Sequence, residues 1–236
     1  MLKLIDFHSH VLPGIDDGSD SVDTSIAMLR MEAEQGVTHV VATPHFYPHR
    51  DRPEEFLARR SRAEEKLRRE MAKHNDLPQL ILGTEVYFFP GIGQSEALPL
   101  LTFGKKECIM IEMPQSSWTE AMYQELRQVH GQLGLVPVIA HVDRYLSALR
   151  NPCLMKRLEA MPVIVQANAS FFLGRGTACQ ALRMVKAGKI HLLGSDCHNL
   201  QDRCPNLGAA VQRIREYAGE QYVEEICSCG RSLLNV

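Results

Sequence analysis

Short apolar runs alternate with longer amphipathic stretches along the chain. Runs rich in Val, Ile and Leu predict seven strands, at Leu2–Phe7, Thr38–Thr43, Gln79–Thr84, Glu107–Glu112, Val136–Ala140, Pro162–Ala167 and Lys189–Gly194. Apolar residues at helical spacing predict helices at Ser21–Gln35, Pro53–His74, Ser117–Leu133, Cys153–Ala160, Thr177–Ala187, Pro205–Tyr217 and Glu220–Cys229. This alternation favours an α/β fold with a parallel sheet.

The length of the chain limits the architecture. With 236 residues, one α/β barrel fits, and we expect a single domain over residues 1–236. A barrel of seven or eight strands is the leading prediction, and a doubly wound open sheet is the alternative. The segment Pro53–Asn75 mixes Arg, Lys and Glu at helical spacing, which predicts a solvated helix face rather than a docking surface.

Composition argues against several classes of protein. The net charge of −2 gives no electrostatic reason to expect nucleic acid. No apolar run is long enough to span a bilayer and no signal peptide is evident, so we expect no membrane insertion and a cytoplasmic location. The seven cysteines contain no C-x-x-C motif, which favours reduced thiols. We interpret Cys227 and Cys229 as small side chains on a terminal helix rather than as a metal or redox pair.

Side chains that can bind metals follow six of the seven predicted strands. His8 and His10 are two residues apart at the end of the first strand, so they point to the same side. The other strand ends supply His45, Glu85, Glu112, His141, Asp196 and His198. In parallel α/β folds the carboxyl ends of the strands meet at one face. The sequence therefore predicts a metal site there.

The types of ligand limit which metal ions the site can bind and which reactions it can catalyse. Imidazole and carboxylate ligands together suit Mn²⁺, Zn²⁺ or Fe²⁺, and their number requires two or three ions. Clustered ions activate water and stabilise in-line displacement at phosphorus. The acidic turn Asp16-Asp17-Gly18 offers a further ligand, and Ser19 or Asp20 could cap the helix that follows. We place His39, His74, His130 and His191 outside the site, whereas His49 is a candidate for substrate contact.

One motif points to a different mechanism. Cys197 and Arg203 have the C-x₅-R spacing of thiol-based tyrosine phosphatases, whose loop is rich in glycine so that backbone N–H groups can surround phosphate. No glycine lies between these two residues, and Asp202 would repel a phosphate. Cys197 also stands between two candidate metal ligands. These features disfavour a thiol mechanism.

Seven short motifs occur in a characteristic order. They are His8-Ser-His10, Asp16-Asp17-Gly18, Ala42-Thr-Pro-His45, Gly83-Thr-Glu85, Glu112-Met-Pro, Ala140-His141-Val-Asp-Arg144 and Gly194-Ser-Asp196-Cys-His198. Together they resemble the polymerase and histidinol phosphatase (PHP) superfamily, and most closely its bacterial manganese-dependent protein-tyrosine phosphatases found with capsule and exopolysaccharide genes. The resemblance runs from Leu4 to about Leu234. It implies a distorted (β/α) barrel of about seven parallel strands with a trinuclear metal centre.

The resemblance also assigns roles to residues. It implies a first ion held by His8, His10, Glu85 and Asp196, a second by Glu85, Glu112 and His141, and a third by Asp17, His45 and His198. Asp17 is preferred to Asp16 because of its spacing from His8. Mn²⁺ is the metal implied, with Zn²⁺, Fe²⁺ or Mg²⁺ as alternatives. Arg144 and Arg203 match the two arginines that the family uses on phosphate.

The implied activity is hydrolysis of phosphotyrosine by a metal-activated hydroxide. The implied substrate is a bacterial tyrosine kinase or another protein of capsule or exopolysaccharide assembly. Asp17, Glu85, Glu112 and Asp196 with three divalent ions would carry a charge of about +2, which attracts a phosphate dianion. A small-molecule phosphatase such as a histidinol-phosphate phosphatase, a phosphodiesterase or nuclease, and a non-enzymatic regulator are the alternatives.

The sequence leaves alternatives for the general acid and for the contacts that a substrate makes outside its phosphate. The general acid could be His49, Asp16 or a metal-bound water. The loop Phe46–Pro53 carries aromatic residues and His49 where the family leads us to expect a basic stretch. The contacts to the peptide side of a substrate are therefore not assigned from sequence.

Overall fold

Short parallel strands and the helices between them build the fold. The computed structural model describes residues 3–104, 107–149 and 153–236. Its strands are β1 (Leu4–Ser9), β2 (Val37–Ala42), β3 (His45–Phe46), β4 (Gln79–Leu82), β5 (Glu85–Tyr87), β6 (Cys108–Glu112), β7 (Val136–Ile139), β8 (Ile164–Asn168) and β9 (Leu192–Gly194). Its helices are α1 (Val22–Glu34), α2 (Pro53–Met71), α3 (Glu120–Gly131), α4 (Val142–Leu149), α5 (Leu154–Glu159), α6 (Ala169–Leu173), α7 (Ala178–Lys186), α8 (Leu207–Tyr217) and α9 (Glu220–Leu234).

The strands close into a distorted barrel. β1, β2 and β4 form one sheet in that order, and β3, β5, β6, β7, β8 and β9 form the other, with every pair parallel. The Gly83 N–H donates to the Ala42 carbonyl at 2.8 Å and the Glu85 N–H to the Pro44 carbonyl at 3.1 Å, so the second sheet continues the first. A parallel bridge between Ser9 and Cys197 joins β1 to the end of β9. The barrel prediction is therefore confirmed and the open sheet is excluded.

Two of the predicted strands are interrupted. The predicted strand Gln79–Thr84 ends at Leu82, and β5 begins at Glu85. The strand predicted at Thr38–Thr43 likewise resumes as β3 after a two-residue break. When each interrupted strand is counted once, the nine strands of the described residues make seven, as expected. The predicted start of the first strand at Leu2 lies outside the described residues.

The helix predictions need three corrections. α4 and α6 were not predicted, because α4 begins three residues after β7 ends and α6 begins directly after β8, so no stretch of turn residues marks where they start. The last helix continues to Leu234 instead of ending at Cys229. The cap of α1 is Ser21, whose hydroxyl accepts from the Thr24 N–H at 3.1 Å, so the expectation of Ser19 or Asp20 was wrong.

Apolar residues fill the barrel. The interior cluster includes Phe7, Met110 and Val138 from the strands, together with Leu233 and Leu234 of α9. A Cβ atom at Gly104, shortly before β6, would lie 2.9 Å from the Leu233 carbonyl oxygen, so these leucines pack near the beginning of that strand. Within the described ranges, no helix has both the length and the apolar character needed to cross a bilayer.

Helix α2 has the solvated face that its charge pattern predicts, with one exception. Phe56, Ala63 and Leu67 are buried and most of the charged residues are not. Arg60 is buried as well, and its guanidinium donates to the Gly83 carbonyl at 3.1 Å and to the Thr84 hydroxyl at 2.6 Å. This cation therefore secures the break in the strand just before Glu85.

Candidate metal centre

The nine residues assigned as ligands come together at the carboxyl ends of the strands. Six of them are buried and two are half-buried, while the side chain of Asp17 is 66% exposed. They are His8, His10, Asp17, His45, Glu85, Glu112, His141, Asp196 and His198. The structure thus brings to one face the residues that the sequence proposes as ligands.

The ligands implied for the first ion lie around His8. The Nε2 atom of His8 lies 3.2 Å from Nε2 of His10, 3.2 Å from Oε2 of Glu85 and 3.6 Å from Oδ1 of Asp196. His10 Nε2 lies 3.5 Å from the same Glu85 oxygen and 3.6 Å from the same Asp196 oxygen. Two imidazole nitrogens and two carboxylate oxygens thus surround one small volume.

The other two sets adjoin the first. His141 Nε2 lies 2.9 Å from Oε1 of Glu85 and 3.6 Å from Oε1 of Glu112. Oδ1 of Asp17 lies 3.4 Å from His45 Nε2 and 3.5 Å from His198 Nε2. His10 also belongs with this last group, since ligand atoms of His10, Asp17, His45 and His198 all lie within 4.8 Å of one another.

Three histidines are held by one ring nitrogen so that the other points into the cluster. His8 Nδ1 donates to Gln166 Oε1 at 3.3 Å, His10 Nδ1 to Asp16 Oδ2 at 2.8 Å and His198 Nδ1 to the Asp196 carbonyl at 3.0 Å. This arrangement fixes the tautomer of metal-binding histidines. Among the described residues, the buried Nε2 of His198 finds no hydrogen-bond partner. The donor set therefore fits divalent metal ions.

The pKa shifts of three residues in the cluster favour metal binding. Burial lowers the pKa of His198 to about 4, which keeps its imidazole neutral and able to coordinate. Burial alone would raise the pKa of Glu85, but the surrounding histidines, first among them His8, hold it well below its usual range. Asp196 is likewise held ionised, against burial, by His8 and Arg144. These three ligands, His198, Glu85 and Asp196, thus favour the forms that coordinate a metal.

Asp16 and Asp17 have different positions. Asp16 is almost fully buried and also accepts from the His45 N–H at 3.0 Å. Burial favours its neutral form, but His10 outweighs burial and holds the pKa of Asp16 well below its usual range. An ionised, buried carboxylate cannot deliver a proton, so Asp16 is unsuited as a general acid. Asp17 instead faces His45 and His198, as the resemblance implies.

The two arginines lie over the cluster. The guanidinium of Arg203 donates to Asp196 Oδ1 at 2.7 Å, and that of Arg144 donates to Asp196 Oδ2. Arg144 also comes within 3.7 Å of Glu112. Both side chains are partly exposed, at 30% for Arg144 and 39% for Arg203. They can therefore reach a ligand that enters from solvent.

Sequence reasoning missed the side chains beneath the ligands. Gln166 Oε1 accepts from the His141 N–H at 2.6 Å as well as from His8, and Asn168 Nδ2 donates to Asp196 Oδ2 at 2.9 Å. Both residues are buried in β8. Two amides within an otherwise apolar strand were the signal that could have identified them, because buried polar groups require partners.

The backbone at the site is strained in two places. His141 has φ of 32° and Asp196 has φ of 55°, in the left-handed region that non-glycine residues rarely adopt. Hydrogen bonds from their N–H groups, to Gln166 and to the His8 carbonyl, hold these turns. At Gly194 a Cβ atom would lie 2.4 Å from His8 Cβ, so only glycine lets β9 approach β1 here.

Cys197 is buried, although it lies between two proposed ligands along the chain. Its side chain is fully buried, and its thiol is 3.9 Å from Glu32 Oε1. Burial and the nearby acids Glu32 and Asp6 raise the pKa of Cys197 well above its usual value. A buried neutral thiol is a poor nucleophile. The structure therefore agrees with the sequence argument against a thiol mechanism.

Asp6 and Glu32 accompany this thiol in a buried acidic group. Asp6 accepts hydrogen bonds from the Ser195 hydroxyl at 2.5 Å and from the N–H groups of His8 and Ser195 at 3.0 and 2.9 Å. Burial, and then the charge of Asp6, raise the pKa of Glu32 well above its usual value. Burial therefore favours the protonated form of Glu32, which lies beside an acid that links β1 to Ser195 just after β9.

The remaining histidines and the aromatic loop also have defined places. His39, His74, His130 and His191 are bonded to Thr38, Arg30, Leu135 and Val165 outside the cluster. In the loop Phe46–Pro53, Phe46 belongs to the core and packs on Phe56 with ring centroids 5.1 Å apart. The ring of Tyr47 lies against His45, and exposed His49 lies 5.8 Å from Tyr47.

The fold is a parallel α/β barrel, and the cluster at the carboxyl ends of its strands is a candidate metal site. The family model for capsular polysaccharide synthesis, CpsB/CapC, matches residues 4–234. The chain belongs to this CpsB/CapC family.

Individual proteins that are similar to this chain are consistent with its membership of this family. The chain is 31% identical over 208 residues to tyrosine-protein phosphatase YwqE of Bacillus subtilis, covering 85% of this chain and 79% of the relative. It is 28% identical over 239 residues to tyrosine-protein phosphatase CpsB of Streptococcus pneumoniae, covering 94% of each. A chain from the crystal structures of YwqE and CpsB, described as metal-dependent tyrosine phosphatases, matches with a TM-score of 0.85 and 26% identity over 98% of this chain and 94% of that chain.

Proposed function

We propose that this protein is a metal-dependent protein-tyrosine phosphatase formed by one domain over residues 1–236. The observation that carries the proposal is the convergence of nine metal-competent side chains, with two arginines bonded to Asp196 among them. Relatives that align with most of the chain are named tyrosine-protein phosphatases, which supports phosphotyrosine as the substrate.

The residues divide into those that hold metal and those that hold phosphate. His8, His10, Asp17, His45, Glu85, Glu112, His141, Asp196 and His198 would hold two to three divalent ions, and Mn²⁺ is the metal we propose. When bound, such ions lower the pKa of water and neutralise charge at phosphorus. Arg144 and Arg203 bind the phosphate oxygens, which a planar guanidinium fits in a bidentate way.

The leaving group explains why the site needs little acid catalysis. A tyrosine hydroxyl has a pKa of about 10, which is far lower than that of an alkyl alcohol. Asp16 is committed to His10, so water and exposed His49, which lies beside Tyr47, are the remaining proton sources. We therefore propose that His49 assists departure of the tyrosyl oxygen only modestly.

Membership of the family supports a proposal for the physiological substrate and the cellular location. We propose that the substrate is a bacterial tyrosine kinase or another phosphotyrosine protein of capsule or exopolysaccharide assembly. We further propose that the protein acts in the cytoplasm, where a reducing environment keeps cysteine thiols such as buried Cys197 and Cys227 intact.

A substrate panel tests the proposed activity. Protein stripped of metal with a chelator is supplied with Mn²⁺ and assayed on a phosphotyrosine peptide, on histidinol phosphate and on single-stranded DNA. We expect release of phosphate from the peptide at a kcat/KM at least about tenfold above that for histidinol phosphate, and no DNA cleavage. Preference for histidinol phosphate, or nuclease activity, would contradict the proposal, and so would full activity without added metal.

A further inference from the structure

A cleft opens beside the metal centre and continues it toward solvent. It has a volume of about 430 Å³ and is lined by Ile15, Asp17, His45, Tyr47 and Arg50, among others. Asp17 and His45 are also proposed metal ligands. A substrate whose phosphate reaches the ions from this side therefore places the rest of the molecule in this cleft.

Tyr47 forms an aromatic wall of this cleft. Its ring stacks on His45 with centroids 5.1 Å apart and an interplanar angle of 29°, and it lies 5.9 Å from the ring of Tyr87. The side chain is neither fully buried nor fully exposed. These contacts fix the ring in place, while the part that lines the cleft stays accessible.

The position of Tyr47 matches the shape of phosphotyrosine. In that substrate one oxygen atom separates phosphorus from the aromatic ring, so the ring must lie directly beside the ions. Tyr47 is the neighbour of His45, which is itself a proposed ligand, and Ile15 adds an apolar side chain to the same cleft. Aromatic rings attract one another in offset or edge-to-face contact.

Arg50 does not block this use of Tyr47. Its guanidinium carbon lies 5.3 Å from the centre of the Tyr47 ring, and the side chain is exposed. An exposed cation–π contact of this kind is weak, so an entering ring can displace it. Neighbouring Arg59 is instead held by Asp51 at 2.5 Å.

We propose that Tyr47 is a specificity-determining residue, which selects phosphate esters of aromatic alcohols by packing its ring against the ring of the substrate. This inference rests on the proposed phosphatase activity and adds to it the side chain that recognises the tyrosyl group. Neither the metal ligands nor the two arginines can make this distinction, because they contact only the phosphate.

The test separates recognition of the ring from recognition of the phosphate. KM is measured for a phosphotyrosine peptide, and the inhibition constant of inorganic phosphate is measured on the same Mn²⁺-loaded protein. For Tyr47→Ala we expect KM to rise by about tenfold, as for loss of an aromatic contact, while the inhibition constant for phosphate changes less than about twofold. Tyr47→Phe should restore a KM near that of the wild type. Tyr217→Ala, at a residue 60% exposed on α8, is the matched control and should have no effect.

Two results would overturn the proposal. An unchanged KM in Tyr47→Ala would show that the ring is not recognised there, although the phosphatase activity would stand. A parallel rise in KM and in the phosphate inhibition constant would show that Tyr47 only supports His45 and the metals. Failure of the wild type to hydrolyse phosphotyrosine is a separate outcome that would remove the proposed function as well.

Discussion

Asp16 Oδ2 lies 2.8 Å from Nδ1 of His10 and holds that imidazole with its other nitrogen toward the metal cluster. Burial lowers the pKa of His10, but Asp16 and Glu85 outweigh it and raise the value to about 10. A strongly basic imidazole is a strong metal ligand once its proton leaves. Asp16 thus supports the centre although it faces away from it.

We predict that Asp16→Asn weakens metal binding. An amide keeps the shape of the side chain but removes the charge that raises the basicity of His10, and loss of such a partner typically costs about 10- to 100-fold in metal affinity. The measurement is a competition titration of Mn²⁺ against a chelating dye. Asp76→Asn, at an exposed site far from the cluster in sequence, is the control. Equal affinity in Asp16→Asn and wild type would contradict this role.

Arg203→Lys should lower kcat/KM for a phosphotyrosine peptide by at least about tenfold. Lys keeps the charge near Asp196 but cannot form a bidentate fork, and removal of one preorganised transition-state donor costs on the order of 100-fold. Metal content and melting temperature should stay unchanged, because Arg203 is 39% exposed at the rim. Arg62→Lys on the solvated face of α2 is the matched control. Wild-type kinetics in Arg203→Lys would leave Arg144 as the remaining assigned phosphate ligand.

Cys197→Ser should keep most of the activity. The thiol is fully buried with a raised pKa, and it separates Asp196 from His198 along the chain without facing the cleft. Steady-state kinetics beside the exposed control Cys179→Ser provide the comparison. Complete loss of turnover with unchanged metal content would instead indicate a thiol mechanism.

Glu32→Gln should make the stability of the folded protein less dependent on alkaline pH. The raised pKa of Glu32 means that the folded state favours the protonated acid, so the stability it contributes is present at low pH and is lost as pH rises through the folded-state pKa. Within the described residues, the groups that face it are Asp6, Ser195 and Cys197, which include no cation. The amide cannot ionise, so the free energy of unfolding of the variant should exceed that of the wild type at pH 9.

Melting temperatures between pH 5 and pH 9 check this prediction. The wild type should lose stability more steeply with rising pH than Glu32→Gln, and Glu34→Gln at an exposed position of the same helix should follow the wild type. Identical slopes for all three proteins would contradict a protonated Glu32 in the folded state.

The sequence predicted the part of the site that depends on strand order. His8, His45 and His141 each follow an apolar run, and parallel strands bring such positions to one face whatever the details of the loops. The short strands β3 and β5, which continue the two interrupted strands, were not predicted. They have two and three residues, which are too few to show a period. The loop itself was identified only as a departure from the family, because sequence does not show that Phe46 turns into the core while Tyr47 lines the cleft.

The supporting side chains were harder to foresee for a different reason. Gln166 and Arg60 bind backbone atoms and imidazole nitrogens, and such partners depend on tertiary geometry and leave no spacing pattern. Asp16 appeared equivalent to Asp17 in the acidic turn, and only burial separates them, with side chains 6% and 66% exposed. Metal ligands are thus easier to recognise from sequence than the residues that orient them.

Elemental analysis of protein purified without a chelator tests the metal centre most directly. We predict two to three divalent transition-metal ions per chain, since seven of the nine side chains form overlapping groups that share His10, His45 and Glu85, and His141 and Asp196 adjoin them. Fewer than one ion per chain in active protein would contradict a metal-dependent phosphatase.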